Sequence, residues 1–349
     1  MIVLTVILAL LAILGAPLFA VIATSAMLGF YRDETDLMNI ALEILSIADL
    51  PFLAAIPLFT FAGYLLSESN APRRLVRLTD ALLGWMPGGL ALVSLAACAF
   101  FTAFTGASGV TIIALGAILY PALQQDGYPD KFNLGLVTSS GSLGLLFAPS
   151  LPLILYGVIA EVSIDYLFLA GILPGLLMLV MLSGWSLFVS RRSPKVLQKF
   201  SIREFGRAVR ETAWEIPLPL VVLGGIYSGF LAVSEAAAIT ALYVFIVEVL
   251  IHKEIRFAEL PRIIRESMVL VGGILAILGV SLASTNYMIS AGVPQELLAS
   301  VSGLVSSQTT FLILLLVFLL ILGALIDIFS AIVLVVPLIL PIAAAYNVD

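Results

Sequence analysis

The sequence predicts an all-α polytopic membrane protein with inverted-topology repeats, re-entrant hairpins and broken helices. Composition is the first supporting observation: 62% of the 349 residues are hydrophobic and only 11% are charged, with a mean hydropathy of +1.18. A soluble domain carries roughly 25% charged residues. The second and third observations are a series of long apolar stretches and an uneven distribution of lysine and arginine along the chain. No sizeable soluble domain fits beside the apolar stretches.

Most of the apolar stretches are long enough for the roughly 20 residues that a spanning helix needs. The first, residues 2–30, is uncharged and far longer than a signal-peptide core of about 7 to 15 residues, so we interpret it as one transmembrane helix. The stretches are residues 2–30, 51–66, 88–121, 132–160, 166–190, 216–231, 236–251, 269–289 and 311–346.

Lysine and arginine set the predicted orientation, because they collect in short cytoplasmic loops. Of the 16, 14 lie in residues 67–87, 191–215 and 252–268, which we therefore expect to be cytoplasmic. The connection 31–50 holds five acidic residues and one arginine, and the turn with Glu161 and Asp165 has no base. Both connections are expected to face outward.

Residues 88–121 are expected to form a re-entrant hairpin, because the orientation is consistent only if this stretch enters and leaves on the cytoplasmic side. Two full crossings would also satisfy the parity, but 34 residues fall short of the roughly 40 that they need. The middle, Thr105-Gly106-Ala107-Ser108-Gly109, is small, flexible and hydroxyl-bearing. Such a composition suits backbone that leaves the helix at membrane depth and lines a protected cavity.

The chain also contains an internal repeat. Residues 72–75 align with 294–297 at an offset of 222, and residues 118–121 align with 338–341 at an offset of 220. One span separates the last cytoplasmic segment from the second hairpin, 311–341, which should therefore enter from outside. Inverted repeats with interrupted helices are typical of secondary transporters.

The two halves end differently. In the first half, Asp130 is followed by about sixty residues that hold a broken helix and another span, whereas the matching Asp349 is the last residue. We therefore expect the open reading frame to extend at least that far past Asp349. Residues 1–349 alone are not expected to transport.

The predicted organisation alternates scaffold and transport regions. Scaffold helices with a cytoplasmic arm (1–87) precede a first transport repeat (88–190), which comprises a hairpin (88–123), a broken helix (132–160) and a span (166–190). An amphipathic cytoplasmic linker (191–215), further scaffold helices with a second cytoplasmic segment (216–268) and an incomplete second repeat (269–349, hairpin 311–341) follow. The arm and the linker are expected to lie along the membrane surface.

Breaks in the apolar stretch 132–160 point to an ion site. Ser139-Ser140-Gly141-Ser142 and Ala148-Pro149-Ser150-Leu151-Pro152 interrupt it, and proline cannot continue a helical hydrogen-bond ladder. Freed carbonyls and hydroxyls are hard oxygen ligands, so the hairpin tip and this loop could together bind sodium. The alternative is that these small residues only allow close helix packing. The candidate ligands are Thr105, Gly106, Ser108, Ser140, Ser142, Pro149 and Ser150.

A set of short motifs in order along the chain carries a resemblance to a known family. They are Ile56-Pro57-Leu58-Phe59, Ala62-Gly63, the tip with Gly106 and Ser108, Ser142-Leu143-Gly144-Leu145, Pro149-Ser150, Tyr156-Gly157, Leu169-Ala170-Gly171, Pro174-Gly175, Gly224-Gly225-Ile226, Gly229, Ser234-Glu235-Ala236-Ala237, Gly323 and Asp327. Over essentially its whole length the chain resembles the large permease subunit of tripartite ATP-independent periplasmic (TRAP) transporters, the DctM-like permeases.

The resemblance implies a sodium-driven importer of small organic anions such as C4-dicarboxylates, sialic acids or other carboxylates. It also implies a soluble periplasmic binding protein, a small membrane subunit, an elevator mechanism, the bacterial or archaeal inner membrane, and no cofactor beyond sodium. Two departures concern local geometry: Ala148-Pro149 stands where the family has two prolines, and Ala232-Val233-Ser234 where it has threonine-proline-threonine.

Two acidic residues, Asp327 and Glu235, are expected to lie inside the membrane, where charge is costly and usually functional. We expect Asp327, near the second hairpin tip, to serve a second cation or substrate site, the alternative being a tip that reaches the headgroups. Glu235 is expected to have a structural role at a helix N-terminus, with Ser234 as the cap and the helix dipole favouring the negative charge.

Other protein classes fit less well. Gly106-Ala107-Ser108-Gly109 matches the Gly-x-Ser-Gly pattern of intramembrane serine proteases, but the base would have to be His252, the only histidine, at a predicted cytoplasmic helix end. One cysteine, Cys98, and one histidine exclude a cysteine or histidine metal site, and the lack of a basic stripe excludes nucleic acid. A passive channel, a structural subunit and a sodium/dicarboxylate symporter without a binding protein remain as alternatives.

Overall fold

The computed structural model describes residues 7–348 except positions 9, 12–13, 51–52, 87, 191–199, 294–295, 297–304 and 306. The described part forms fifteen α-helices. The first eight are α1 Leu18–Arg32, α2 Met38–Ser46, α3 Ala55–Glu68, α4 Ala71–Leu83, α5 Gly89–Thr105, α6 Ser108–Gln125, α7 Asp130–Leu143 and α8 Leu151–Ala160. The others are α9 Ile164–Ser190, α10 Ile202–Glu211, α11 Pro217–Tyr227, α12 Val233–Phe245, α13 Leu260–Ser290, α14 Gln308–Leu325 and α15 Ile328–Ala345.

Five helices are long and apolar enough to cross a membrane, and the bent pair α7 and α8 makes a sixth if it counts as one span. The five are α6, α9, α12 with the π-helical turn Ile246–Ile251 that continues it, α13 and α15. The fold is therefore that of an all-α polytopic membrane protein, as the composition predicts.

Contacts divide the chain into two compact units. The first-hairpin unit comprises Ala54–Ile154 and Ser163–Val269, and the second-hairpin unit comprises Met1–Leu53, Leu155–Val162 and Leu270–Asp349. Each has its own buried apolar clusters. In the first-hairpin unit one buried cluster contains Leu65 of α3 together with Leu95 and Phe101 of α5, so these two helices pack through apolar side chains.

The prediction of one helix over residues 2–30 is wrong. The helix α1 begins only at Leu18, because Gly15 has a left-handed φ of 88° and Pro17 precedes the first turn. Proline lacks the N–H that a continuous helix needs at that point. The span predicted over residues 269–289 is longer in the structure. Its helix, α13, begins at Leu260 and has 31 residues, about 46 Å at the usual rise, so it includes part of the segment 252–268.

The repeat appears in the helix boundaries. α5 ends at Thr105 and α14 at Leu325, whereas α6 and α15 begin at Ser108 and Ile328 and both contain 18 residues. All of these positions differ by the 220 residues that the sequence alignment predicts. Pro121 and Pro341 occupy the same place inside the second arms. Of the other alignment, Pro294, Gln295 and Leu297 lie outside the described residues, as does Asp349.

The glycines of the family-like motifs are points of close backbone approach around the first hairpin. A Cβ on Gly63 of α3 would lie 2.5 Å from Thr105 Cα. One on Gly144, directly after α7, would overlap the carbonyl oxygen of Ala99 and lie 2.5 Å from Ala103 N. Any larger residue would therefore push α3 or the end of α7 away from α5.

The predicted arm and linker contain the helices α4 and α10, which pack against each other, and α4 also packs on α5. On α4, Leu75 is buried and Arg73 is exposed. Burial, followed by the charge of Asp126, raises the pKa of the Asp80 carboxyl above its usual value. Residues 191–199 of the linker lie outside the described part.

Gly144→Ala should destabilise the protein by about 1–3 kcal/mol, the scale of core overpacking, because the new methyl group meets backbone that cannot move aside. Gly135→Ala is the matched control, since a Cβ at this exposed position on α7 meets no atom within 4 Å. Unfolding in detergent measures both variants. Equal stabilities for the two would contradict the proposed close approach.

Candidate functional site

The first hairpin turns at two residues, Gly106 and Ala107. Gly106 directly follows α5 and lies in the left-handed region at φ 64°, which favours glycine, and Ala107 is extended before α6 begins at Ser108. The Gly106 N–H donates to the carbonyl oxygen of Thr102 at 2.8 Å. The turn therefore closes the end of α5 with a backbone hydrogen bond inside the protein.

Three threonines surround this turn, and each is fully buried. The hydroxyl of Thr102 lies 2.8 Å from that of Thr111 and 3.0 Å from the carbonyl oxygen of Gly141. The Thr105 and Thr111 hydroxyls are 3.1 Å apart. We call Thr102, Thr105, Thr111 and the Gly141 carbonyl the tip oxygen cluster.

The predicted break in the apolar stretch 132–160 is present. α7 passes into a 3-10 turn, Gly144–Leu146, and α8 leaves at an angle of 47° after a cis Ala148–Pro149 bond. The Ser150 hydroxyl donates to the Leu145 carbonyl at 2.5 Å. A Cβ on Gly106 would overlap the Leu151 side chain, so the hairpin turn lies directly against the start of α8.

The structure brings only some of the predicted ligands to the tip oxygen cluster. Thr105 belongs to it, Gly106 closes the turn beside it, and Ser108 begins α6 half-buried. Ser140 is buried but its hydroxyl donates to Val137 O of its own helix, and the exposed Ser142 donates to Ser139 O. Pro149 and Ser150 are buried in the loop before α8.

Thr102, Thr111 and the Gly141 carbonyl are site residues that the sequence reasoning missed. Thr102 precedes Thr105 by three residues and Thr111 follows Ser108 by three. Residues three apart share a helix face. That spacing is the signal that could have added both hydroxyls to the candidate set.

The second hairpin turns at Asp327, whose carboxylate caps α15. Its Oδ2 accepts from the backbone N–H groups of Phe329 and Ser330 at 3.0 and 3.1 Å, and its Oδ1 accepts from the Ser330 hydroxyl. Asp327 itself is exposed in the second-hairpin unit. The cap explains why an acid can sit at this turn, since a carboxylate pairs well with the first N–H groups of a helix.

Glu235 has the structural role expected for it, with a different cap. It lies in the first turn of α12 and its Oε2 accepts from the Ala232 N–H at 2.9 Å. The prediction that Ser234 caps the helix is wrong, because Ala232 occupies the cap position and Ser234 already lies within α12. Glu235 thus closes the helix start by reaching back three residues.

The tip oxygen cluster suits a dehydrated monovalent cation. It offers hydroxyl and carbonyl oxygens in a fully buried setting, and neither residues 88–125 nor residues 132–160 contain a charged side chain. A divalent ion would bring two charges into this neutral environment, at a far higher desolvation cost. Unwound backbone carbonyls and small polar side chains are how transporters of this architecture hold coupling ions.

A model of the tripartite ATP-independent periplasmic transporter family, DctM component, matches residues 1–349. The chain belongs to this family. The resemblance deduced from the glycine, proline and serine motifs is thereby confirmed.

Curated relatives agree with the family. The chain is 31% identical over 339 residues to the C4-dicarboxylate TRAP transporter large permease protein DctM of Rhodobacter capsulatus. The aligned region covers 92% of this chain and 76% of that protein. It is 33% identical over 306 residues to the isethionate TRAP transporter permease protein DctMQ of Oleidesulfovibrio alaskensis, covering 87% of this chain and about half, 48%, of that protein. It is 30% identical over 293 residues to the ectoine/5-hydroxyectoine TRAP transporter large permease protein UehC of Ruegeria pomeroyi, covering 83% and 68%.

This DctM chain is therefore a multi-pass membrane component of a binding-protein-dependent importer rather than an enzyme. The Gly-x-Ser-Gly pattern at Ser108 is the helix start of a transporter hairpin, and His252 lies 3.4 Å from Glu248 in a separate charged cluster.

Thr111→Val should lower the free energy of unfolding by about 1 kcal/mol, because it leaves the buried Thr102 and Thr105 hydroxyls with one partner fewer. Thr138→Val is the control, since the exposed Thr138 hydroxyl contacts only carbonyls of its own helix. Denaturant titration in detergent compares the two. A loss in the control as large as in Thr111→Val would remove the special role of the cluster.

Proposed function

We propose that this DctM chain couples the inward movement of sodium to the import of a small acidic solute across the bacterial or archaeal inner membrane. A soluble periplasmic binding protein delivers the solute, and a small membrane subunit completes the transporter. The family's name, a three-part periplasmic system that does not use ATP, supports both the partners and an ion gradient as the energy source. The sequence also lacks a P-loop.

The observation that carries the sodium proposal is the tip oxygen cluster. The Thr111 hydroxyl lies 2.8 Å from that of Thr102 and 3.1 Å from that of Thr105. These three oxygens are therefore close enough together to contact one alkali ion. The adjoining loop adds the buried Ser150 and the carbonyls freed at Pro149. We propose that Thr105, Gly106, Ser108, Ser140, Ser142, Pro149 and Ser150 form or support the first sodium site, together with Thr102 and Thr111.

Asp327 is the proposed centre of a second cation or substrate site. By the offset of 220, it takes the place of Ala107 in the first hairpin, so one turn is neutral and the other carries a negative charge. A carboxylate offers about four lone-pair positions. The cap uses three hydrogen bonds, which leaves capacity for an ion.

The proposed substrate class is broader than carboxylates. C4-dicarboxylate, isethionate and ectoine appear in the names of three relatives. Isethionate is a sulfonate and ectoine a zwitterion, so an acidic group on a small polar molecule is what they share. We propose that the binding protein selects among such solutes, and that transport moves the hairpins against a fixed scaffold in an elevator motion.

Uptake by the assembled transporter in proteoliposomes tests the sodium site. Thr105→Val and Ser108→Ala should each raise the sodium concentration for half-maximal uptake roughly tenfold, the effect of losing about 1.4 kcal/mol of binding free energy. Ser142→Ala should shift it in the same direction but less, because the exposed Ser142 hydroxyl donates to Ser139 O of its own helix. Thr138→Val is the control and should leave it unchanged. Uptake that is independent of sodium in the wild-type protein would refute the coupling.

Asp327→Asn provides the matching test in the second hairpin, because asparagine caps helices as well as aspartate does. The variant should keep wild-type stability and lose most of its transport. Normal transport would remove the Asp327 charge from the mechanism, whereas a parallel loss of stability would assign the residue to capping alone.

A further inference from the structure

A buried charged cluster lies apart from the hairpin, where α4 meets the segments that flank α11 and α12. Arg74 Nε donates to Glu215 Oε1 at 2.5 Å, and Nη2 donates to both oxygens of Glu248, at 3.0 Å to Oε1 and 3.1 Å to Oε2. Nη1 donates to Glu254 Oε1 at 2.6 Å. Glu215 is 2% exposed and Glu248 is 0% exposed, so two of the three carboxylates are removed from solvent.

The charges of this cluster do not balance. One guanidinium faces three carboxylates, which leaves two negative charges in excess when the acids are ionised and the neighbouring His252 imidazole is neutral. Uncompensated buried charge is strongly destabilising. The second oxygen of Glu215, Oε2, has no hydrogen-bond partner among the described residues, although buried polar atoms are nearly always paired. Both facts indicate that a positive group is missing from the cluster.

His252 completes a set of metal ligands beside these carboxylates. Its Nδ1 lies 3.4 Å from Glu248 Oε2. One ligand atom each from Glu215, Glu248 and His252 fall within 4.8 Å of one another. Two ligands at about 2.1 Å from a tetrahedral ion are about 3.4 Å apart, so His252 and Glu248 already have this spacing and Glu215 needs only a small approach.

We propose that Glu215, Glu248 and His252 bind one divalent transition-metal cation of the zinc or manganese class. Two carboxylates and an imidazole are a mixed oxygen and nitrogen ligand set that suits these ions, and water would complete the coordination. A divalent ion cancels the two excess negative charges. Arg74 engages the other oxygen of Glu215, which leaves Oε2 available to the metal.

The site is accessible and does not depend on the sodium proposal. The side chains of His252 and Glu254 are 18% and 20% exposed, which gives an ion a route from the surface. The scarcity of histidine and cysteine does not count against it, because glutamates supply two of the three ligands. A bound ion would fix the π-helical turn Ile246–Ile251 to the segment before α11.

Metal titration of the purified full chain tests this proposal. After treatment with a chelator, the protein should bind one equivalent of Zn²⁺ or Mn²⁺ by calorimetry and unfold at a higher temperature with the metal than without it. His252→Gln should weaken binding roughly tenfold or more, and it leaves Arg74 and its three carboxylate partners in place. Glu211→Gln is the control, since Glu211 pairs with the exposed Arg77 at 2.7 Å outside the cluster.

Three results would overturn the proposal. The first is a wild-type protein that binds neither metal and whose unfolding temperature responds to pH alone, because a proton would then supply the missing charge. The second is equal affinity in wild type, His252→Gln and Glu211→Gln. If His252→Gln does not fold, X-ray absorption of the zinc-loaded wild type reads the ligands directly, and a spectrum without an imidazole is the third.

Discussion

Backbone that leaves a helix within a membrane must find its hydrogen-bond partners inside the protein, because lipid offers none. This requirement shapes the first-hairpin unit. The turn at Gly106 closes onto Thr102, the buried threonines surround it, and the broken helix brings the Gly141 carbonyl and the start of α8 against it. The glycines at 63 and 144 let these neighbours come close enough. The polar groups that satisfy the break are also the groups that would bind an ion.

The second hairpin meets the same requirement by another means. Residues 322–331 around its turn contain no threonine, and the Asp327 carboxylate accepts from two backbone N–H groups and a hydroxyl. The two hairpins thus share second arms of 18 residues and an offset of 220 residues, while their turns differ in charge. The repeat therefore places a neutral oxygen cluster in one turn and a carboxylate at the equivalent place in the other.

Much of the architecture could be predicted from the sequence because membrane helices consist of long runs of apolar residues. Residues 88–121 and 311–341, predicted as hairpins, each contain two helices joined by a short turn, and the break near Pro149 follows from proline chemistry. The single helix over residues 2–30 was wrong because apolar content continues through Gly15 and Pro17. Hydropathy reports side-chain polarity, so it does not indicate where a glycine with a left-handed backbone conformation ends a helix.

The site could be predicted only in part, because composition identifies hydroxyls without showing which way they point. Ser140 and Ser142 satisfy their hydroxyls within their own helix, whereas Thr102 and Thr111 turn inward. The charged cluster was missed for a related reason. In the sequence, Arg74 is one of several bases in the segment 67–87, and Glu248 is an acidic residue in the apolar stretch 236–251. Only the structure shows that α4 brings the two side chains together.

Hydrogen exchange at the first hairpin turn tests the central claim most directly. Amides of residues 104–112, measured by mass spectrometry in the assembled transporter, should exchange more slowly in sodium than in potassium at equal ionic strength, because an ion held by the tip oxygen cluster stabilises the turn. Residues 130–138 at the start of α7 provide an internal reference that should not respond. Identical exchange of the turn in both salts would contradict the account.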